Sequence, residues 1–308
     1  MMSAEEWATH VVAGKAVALT RSHLVSRSTG EVSNTVLVGL DALIAETGIL
    51  LSAVCQPDAL SDDEKSALSE ITGGKETESF LVDRLVSDLS EFAQKRIAAG
   101  QTKPVLKLRL SGAEIAGEST QIGGHLMPKE ENPVMGLRGV ARYLHPQWAR
   151  MFTLQCKIIK QLRLVTGDLP IAIVIPFVRT YSDAASVHDL LAEQGLFRGK
   201  SGLQVHLMCD LPANAVMADK FLHYFDGVVI DLDHLAQLTL AIDPANKTLD
   251  YDEPYDNEAV LSLAAQTLKK SREVNKPCEF LSRSATVPPK LQRWLSEHSV
   301  SSLICSPK

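Results

Sequence analysis

The segment that does most to decide the fold reads Ile-Ala-Ile-Val-Ile-Pro-Phe at positions 171–177. Every residue in it is apolar, which predicts a strand covered on both faces, as strands of parallel sheets are. Similar runs lie at 106–110, 203–211, 228–233, 279–282 and 302–305, and helical patterns at 182–196 and 257–276 lie between some of them. Alternation of this kind indicates a parallel sheet with right-handed crossovers. The pattern alone fits an open sheet and a closed barrel equally well.

The first half of the chain is less regular. Residues 16–21 predict a strand, and the apolar patterns at 34–47 and 76–99 predict helices. The segment 56–75 contains Pro57, a charged run and a Gly-Gly pair. We interpret that segment as a connection inside one unit, with a short helix of its own.

Composition and charge exclude several classes of protein. A net charge of −6 argues against a nucleic-acid partner, so any anion site must be built from a few placed arginines. No run of about 18 apolar residues predicts a membrane span, and the acidic, polar N-terminus is unlike a signal peptide. The five cysteines are scattered and form no Cys-x-x-Cys pair, which is typical of reduced thiols. We therefore expect a cytoplasmic protein that binds neither nucleic acid nor membrane.

Four motifs carry a family resemblance. They are Glu-Asn-Pro-Val-Met-Gly-Leu-Arg-Gly at 131–139, Ile-Val-Ile-Pro-Phe-Val-Arg-Thr at 173–180, Met-Cys-Asp-Leu-Pro-Ala-Asn at 208–214 and Phe-Asp-Gly at 225–227. In this order and spacing, the chain resembles the C-terminal barrel of the phosphoenolpyruvate synthase (pyruvate, water dikinase) family. The resemblance is strongest between residues 130 and 243 and weakest between 22 and 76.

The resemblance implies the fold: a (β/α)8 TIM barrel of the phosphoenolpyruvate/pyruvate type. Its strands would lie near 16–21, 105–110, 134–139, 171–177, 203–210, 227–233, 278–283 and 302–306. We expect residues 1–308 to form a single barrel with an N-terminal helical extension at 4–12. We expect the chain to lack the family's ATP-binding domain and its phosphohistidine domain. We therefore expect no bound nucleotide. Family barrels dimerise, so a homodimer is expected.

Two arginines are the implied substrate-binding residues. Arg109 and Arg138 occupy the positions at which the family holds the phosphoryl group and the enolate oxygen. A planar guanidinium can grip such oxygens in a bidentate way. The alternative is that both arginines only pair with carboxylates of the barrel.

The implied metal site departs from the family pattern. Asp210 and His234 stand where the family has a Glu and an Asp that hold magnesium. Imidazole with carboxylate weakens a magnesium site and suits manganese or zinc better. Asp231 replaces a glycine and is a third candidate ligand, while Asp233 replaces an asparagine beside the substrate. The alternative is a decayed site whose carboxylates pair with the arginines. In either case the added negative charge should oppose anion binding.

The family's proton donor to the enolate is a cysteine near the end of strand seven, and the matching residue here is Leu281. Leucine has no proton to give. The resemblance therefore leaves no confident catalytic residue, and it argues against the family's usual catalysis.

Three functions remain open. The first is a barrel that binds phosphoenolpyruvate, pyruvate or a related oxyacid without phosphotransfer, in a regulatory or vestigial role. The second is an active metal-dependent lyase or aldolase that acts on an enolate-forming oxyacid. The third is the barrel subunit, or a fragment, of a split phosphoenolpyruvate synthase.

Overall fold

The computed structural model describes residues 23–28, 35–98, 104–112, 121–127, 132, 134–243, 246, 248, 254–283, 287–300 and 302–305. Within those ranges the strands join edge to edge, in chain order, into a closed barrel. The strands are β1 His23–Ser28, β2 Thr35–Gly39, β3 Val105–Arg109, β4 Ile171–Ile175, β5 Gln204–Cys209, β6 Gly227–Asp231, β7 Cys278–Ser282 and β8 Ser302–Cys305.

Neighbouring strands from β2 to β8 are parallel. The strand β1 is antiparallel to both β2 and β8, and it closes the barrel between them. The carboxyl ends of β2 to β8 consequently meet at one mouth, where side chains from different strands can converge.

Helices occupy most of the connections. They are α1 Leu40–Ala45, α2 Leu51–Cys55, α3 Asp62–Thr72, α4 Thr77–Ala98, α5 Val140–Leu144, α6 Ala149–Thr166, α7 Tyr181–Glu193, α8 Pro212–Val216, α9 Ala218–Phe221, α10 Leu232–Leu240, α11 Glu258–Glu273 and α12 Pro289–Glu297. Short 3-10 turns lie at Pro57–Ala59, Gly124–Leu126, Pro146–Trp148, Lys200–Gly202 and Pro254–Asp256. The apolar faces of the helices share one buried cluster with strand residues such as Leu108 and Ile173. None of the described helices has the length and hydropathy needed to cross a membrane.

The inside of the barrel is filled in layers, because alternate residues of each strand point inward. The middle layer is a separate apolar cluster of Leu37, Val174, Met208, Val229, Leu281 and Ile304. The residues two positions later on β4 to β7 lie toward the mouth, above this layer. The layers therefore separate the mouth from the opposite end of the barrel.

The layer beneath is polar, and its Thr35, Lys107 and His206 are buried. Lys107 on β3 pairs with Glu279 on β7, and its Nζ lies 3.1 Å from His206 Nδ1 on β5. The hydroxyl of Thr35 donates to Glu279 at 3.1 Å, and Gln204 Oε1 lies 3.2 Å from His206 Nε2. Burial, and then the Lys107 charge, lower the pKa of His206 to about 3. The neutral imidazole thus accepts or donates hydrogen bonds here without adding a second cation.

The predicted barrel of the TIM type is confirmed, with β1 reversed in direction. The helix predicted at 34–47 is wrong in its first part, since Thr35–Gly39 is strand β2 and a helix begins only at Leu40. A short apolar run fits a strand and a buried helix equally, and pairing with β3 decides between them here.

The strand predicted at 134–139 is also wrong, because this segment is a loop before α5. Gly136 and Gly139 in it have φ angles of 87° and 51°, which an extended strand does not allow. The predicted strand at 16–21 and the helical extension at 4–12 lie outside the described residues.

Candidate functional site

The mouth of the barrel gathers nearly all the predicted site residues. Arg109 and Asp231 are the last residues of β3 and β6, and Asp210 directly follows β5. Asp233 and His234 lie in the first turn of α10. The resulting site combines guanidinium groups with carboxyl groups in a protein interior, where each charge needs a partner.

Asp231 is the best-connected of these residues. Its side chain is fully buried, and Arg283, the residue after β7, donates to both of its carboxylate oxygens at 2.7 and 2.6 Å. The backbone N–H of His234 donates to Asp231 Oδ1 at 3.1 Å and caps α10. Although burial opposes ionisation, the charges of Arg283 and then of His234 hold the pKa of Asp231 well below its usual range. Asp231 is therefore a fixed anion beneath a fixed guanidinium.

Asp233 supports the same guanidinium. It accepts the backbone N–H of Arg283 at 2.8 Å, and its carboxylate lies 3.6 Å from Arg283 Nη1. Burial raises the pKa of Asp233 against the attraction of Arg283, and the Asp231 charge raises it further. Asp231 and Asp233 thus hold Arg283 from two directions.

Arg109 is anchored by Asp41, in the first turn of α1, the helix that directly follows β2. Its Nη2 lies 3.1 Å from Asp41 Oδ1, and the other oxygen of Asp41 accepts the backbone N–H of Gly112 at 3.2 Å. A Cβ at Gly39 would lie 2.6 Å from Arg109 Nη2, so glycine makes room for the guanidinium. The Nε of Arg109 is buried and has no hydrogen-bond partner among the described residues. A buried donor of this kind calls for an acceptor.

The resemblance places Arg138 on a barrel strand, and the structure places it elsewhere. It lies in the loop before α5, is fully buried, and donates to the carbonyls of Leu137 at 3.1 Å and Asn132 at 2.8 Å. Arg179 secures the same loop by donating to the carbonyls of Arg138 at 3.0 Å and Gly136 at 2.8 Å. In this arrangement Arg138 shapes the loop, and its substrate role stays a prediction.

Asp210 is engaged by the backbone of the neighbouring strand end. The N–H of Phe177 lies 2.9 and 3.2 Å from its two oxygens, and Phe177 has a φ of 51°, which is strained for a bulky residue. Burial raises the pKa of Asp210 to about 8 despite this bond. A mostly protonated acid is a poor ligand for a cation.

His234 lies between the charged groups. Its Nδ1 is 3.0 Å from Asp231 Oδ2, close enough for an ion pair but not aligned as a hydrogen bond. Burial lowers the pKa of His234 against the pull of Asp231, and Arg283 and Arg109 lower it further.

Leu281 lies below the mouth. Its side chain is fully buried in the apolar middle layer, and it pairs with Asp231 across β6 and β7. Neither Cys209 nor Cys278 replaces it. Cys209 contacts Thr267 of α11 at 3.7 Å, and Cys278 lies at the opposite end of β7. Burial raises the pKa of both thiols, that of Cys278 to about 12.

The donor set does not fit a divalent cation. Arg283 occupies both oxygens of Asp231, and Phe177 occupies those of Asp210. Within the described ranges, no three His, Cys, Asp or Glu side chains form a group that could hold a metal. A dication at Asp231 would also meet the charge of Arg283. The predicted metal site of Asp210, His234 and Asp231 stays a prediction that this geometry does not support.

Three residues of the site, Asp41, Arg179 and Arg283, were missed in the sequence. Asp41 anchors Arg109 but lies in the segment interpreted as a single helix, so its place beside β3 was hidden. Arg179 stands in the Ile-Pro-Phe-Val-Arg-Thr motif, and only its contacts with the 136–138 loop give it a role. By the resemblance, Asp231 replaces a glycine and Arg283 is an added charged residue. These two opposite charges were the signal from which their ion pair could have been predicted.

Comparison with known proteins shows the family of the chain. Residues 83–308 match the family described as PEP-utilising enzyme, PEP-binding domain. Phosphoenolpyruvate synthase of Pseudomonas aeruginosa is 36% identical over 80% of this chain and 31% of its own length. The enzyme of Neisseria meningitidis is 32% identical over 85% of this chain and 33% of its own, and that of Escherichia coli is 33% identical over 74% and 28%. The chain spans about a third of the length of these curated relatives. With its barrel and its matching motifs, the chain belongs to the family of PEP-utilising enzymes, through their PEP-binding domain.

Proposed function

We propose that this barrel binds phosphoenolpyruvate, pyruvate or a related small oxyacid at its mouth, without phosphotransfer, in a regulatory role. The single observation that carries the proposal is Arg109. Its guanidinium is held by Asp41 at the mouth, and its buried Nε has no partner among the described residues. An oxyacid oxygen would satisfy that donor.

The proposed loss of phosphotransfer rests on Leu281. Converting phosphoenolpyruvate to pyruvate requires a proton at the methylene carbon, and the reverse reaction requires its removal. Leu281 has no ionisable group and is sealed in the apolar layer. Binding without turnover is what remains for the site, and a protein that binds a metabolite without consuming it suits regulation.

The metal-dependent lyase is the weaker alternative, because it needs the metal site that the donor geometry does not support. We also propose a homodimer, on the resemblance to the family. Light scattering at micromolar concentration tests it, and a monomer would contradict it.

Isothermal calorimetry with phosphoenolpyruvate and with pyruvate tests the binding proposal. Wild type should bind at least one of them, and Arg109→Gln should bind it ten- to a hundredfold more weakly, because a charge-assisted hydrogen bond contributes about 1.5–3 kcal/mol. Arg84→Gln is the matched control, since Arg84 also pairs with an aspartate, Asp88, at 2.8 Å, but on α4. Wild type that binds neither acid at millimolar concentration would contradict the proposal.

A further inference from the structure

The residue after β7 carries a charge that the implied metal site does not predict. Arg283 lies at the mouth, and 33% of its side chain is exposed. Its guanidinium lies on the buried carboxylate of Asp231, with bonds of 2.7 and 2.6 Å, so its position is set by the strand ends rather than by solvent.

We propose that Arg283 takes the place of the divalent cation, so that Arg283 and Arg109 together recognise the oxyacid and no metal takes part. The proposal rests on the proposed function, since it names the groups that bind the acid. The ligand class is a small carboxylic or phosphorylated acid, whose oxygens match the planar fork of a guanidinium.

The geometry favours an arginine over a metal for three reasons. A metal on an Asp231 oxygen would lie beside the Arg283 guanidinium that already bonds both oxygens, and the two cations would repel each other. Asp210 already accepts the N–H of Phe177 at 2.9 and 3.2 Å. Finally, Asp233 accepts the backbone N–H of Arg283 at 2.8 Å. Asp231 and Asp233, the acidic residues that could attract a metal cation, therefore hold the Arg283 side of the mouth instead.

The two arginines are also suitably arranged for one small ligand. Both lie at the same mouth, Arg109 as the last residue of β3 and Arg283 as the residue after β7. Each is anchored by its own aspartate, Arg109 by Asp41 and Arg283 by Asp231. Because the anchors fix the guanidinium groups before a ligand arrives, little conformational entropy is lost on binding.

The experiment is calorimetry with phosphoenolpyruvate in a chelating buffer and again with excess magnesium or manganese. Wild type should bind with the same affinity, within twofold, in all three buffers. Arg283→Gln should weaken binding at least tenfold in each of them. Arg283→Lys, which keeps the charge and loses the fork, should fall between the two.

Two further variants guard against misfolding and unspecific loss. Asp231→Asn/Arg283→Gln removes both charges together, so no buried carboxylate is left unpaired, and it should bind as weakly as Arg283→Gln. Arg198→Gln is the matched control, because Arg198 has the same 33% exposure and pairs with Asp226 at 2.8 Å before β6, away from the mouth. It should bind as wild type does.

The outcomes separate this inference from the proposed function. Binding that needs magnesium or manganese, or that is unchanged in both Arg283 variants and in the double variant, overturns the inference and leaves oxyacid binding standing. Wild type that binds no phosphoenolpyruvate in any buffer overturns both.

Discussion

The two terminal nitrogens of Arg283 each donate an N–H to one carboxylate oxygen of Asp231, at 2.7 and 2.6 Å. This ion pair joins the end of β7 to the end of β6. Asp231 is fully buried, whereas a third of Arg283 is exposed at the mouth. One partner of this ion pair is thus structural, and the other faces whatever enters the barrel. The consequences for stability and for binding can be measured separately.

Removing Arg283 alone should destabilise the barrel. Arg283→Gln leaves the carboxylate of Asp231 buried without its main cation, which costs about 3 kcal/mol in the free energy of unfolding. The double variant Asp231→Asn/Arg283→Gln should recover most of that loss. Urea denaturation followed by circular dichroism measures both, and a loss below about 1 kcal/mol in Arg283→Gln would show that the pair is not coupled to folding.

Removing Asp231 should weaken ligand binding. From the sequence, a negative charge at this position was expected to repel an anion, so that Asp231→Gly would bind phosphoenolpyruvate more tightly. Because Asp231 positions Arg283, the structure reverses that expectation: Asp231→Gly should bind several-fold more weakly than wild type. Calorimetry measures the difference in affinity. Tighter binding by the variant would show that Asp231 acts on the ligand by charge repulsion and not by positioning Arg283.

Stability should fall in mild acid because of His206. Its pKa is 6.5 in the unfolded chain and about 3 in the barrel, where Lys107 and Glu279 surround it, so the unfolded state binds more protons between these values. The free energy of unfolding should lose up to about 1.4 kcal/mol per pH unit as pH falls below 6.5, with no contribution above it. Urea melts of wild type and His206→Gln between pH 7 and 5 test this, and equal pH dependence in both would contradict it.

Proton exchange into pyruvate tests the loss of catalysis. Leu281 offers no proton, and Cys209 and Cys278 point elsewhere, so the methyl protons of pyruvate should exchange with deuterated water no faster in the presence of the protein than in buffer. Proton NMR of pyruvate follows the exchange directly. Exchange well above the buffer rate, abolished in Arg109→Gln, would mean that another group acts as the base.

The second half of the fold could be predicted because its strands are long apolar runs, and β4 to β8 begin and end within two residues of the predicted bounds. The first half could not, because β2 runs directly into α1 at Leu40 and the two share one apolar pattern, so only the pairing of β2 with β3 separates them. The loop at 134–139 was misassigned because that strand was expected from the resemblance alone, and Gly136 and Gly139 have positive φ angles that break an extended strand.

For the site, the resemblance placed Arg109, Arg138, Asp210, His234 and Leu281 around one mouth, with Asp231 and Asp233 beside them. In the structure Arg138 bonds carbonyls of its own loop and Leu281 lies in the apolar layer below the mouth. The resemblance could not predict which charge pairs with which, because that depends on distances between strand ends. Arg109 pairs with Asp41, a residue that no motif indicated, and Asp231 pairs with Arg283 rather than with the family's arginines.

The most direct test is a crystal structure of the chain soaked with phosphoenolpyruvate and manganese, with anomalous data collected for the metal. We predict oxygens of the acid within hydrogen-bond distance of both Arg109 and Arg283, with no manganese peak at Asp210 or His234. A manganese ion bound between Asp210 and His234, or an acid that contacts neither guanidinium, would contradict recognition by the two arginines alone.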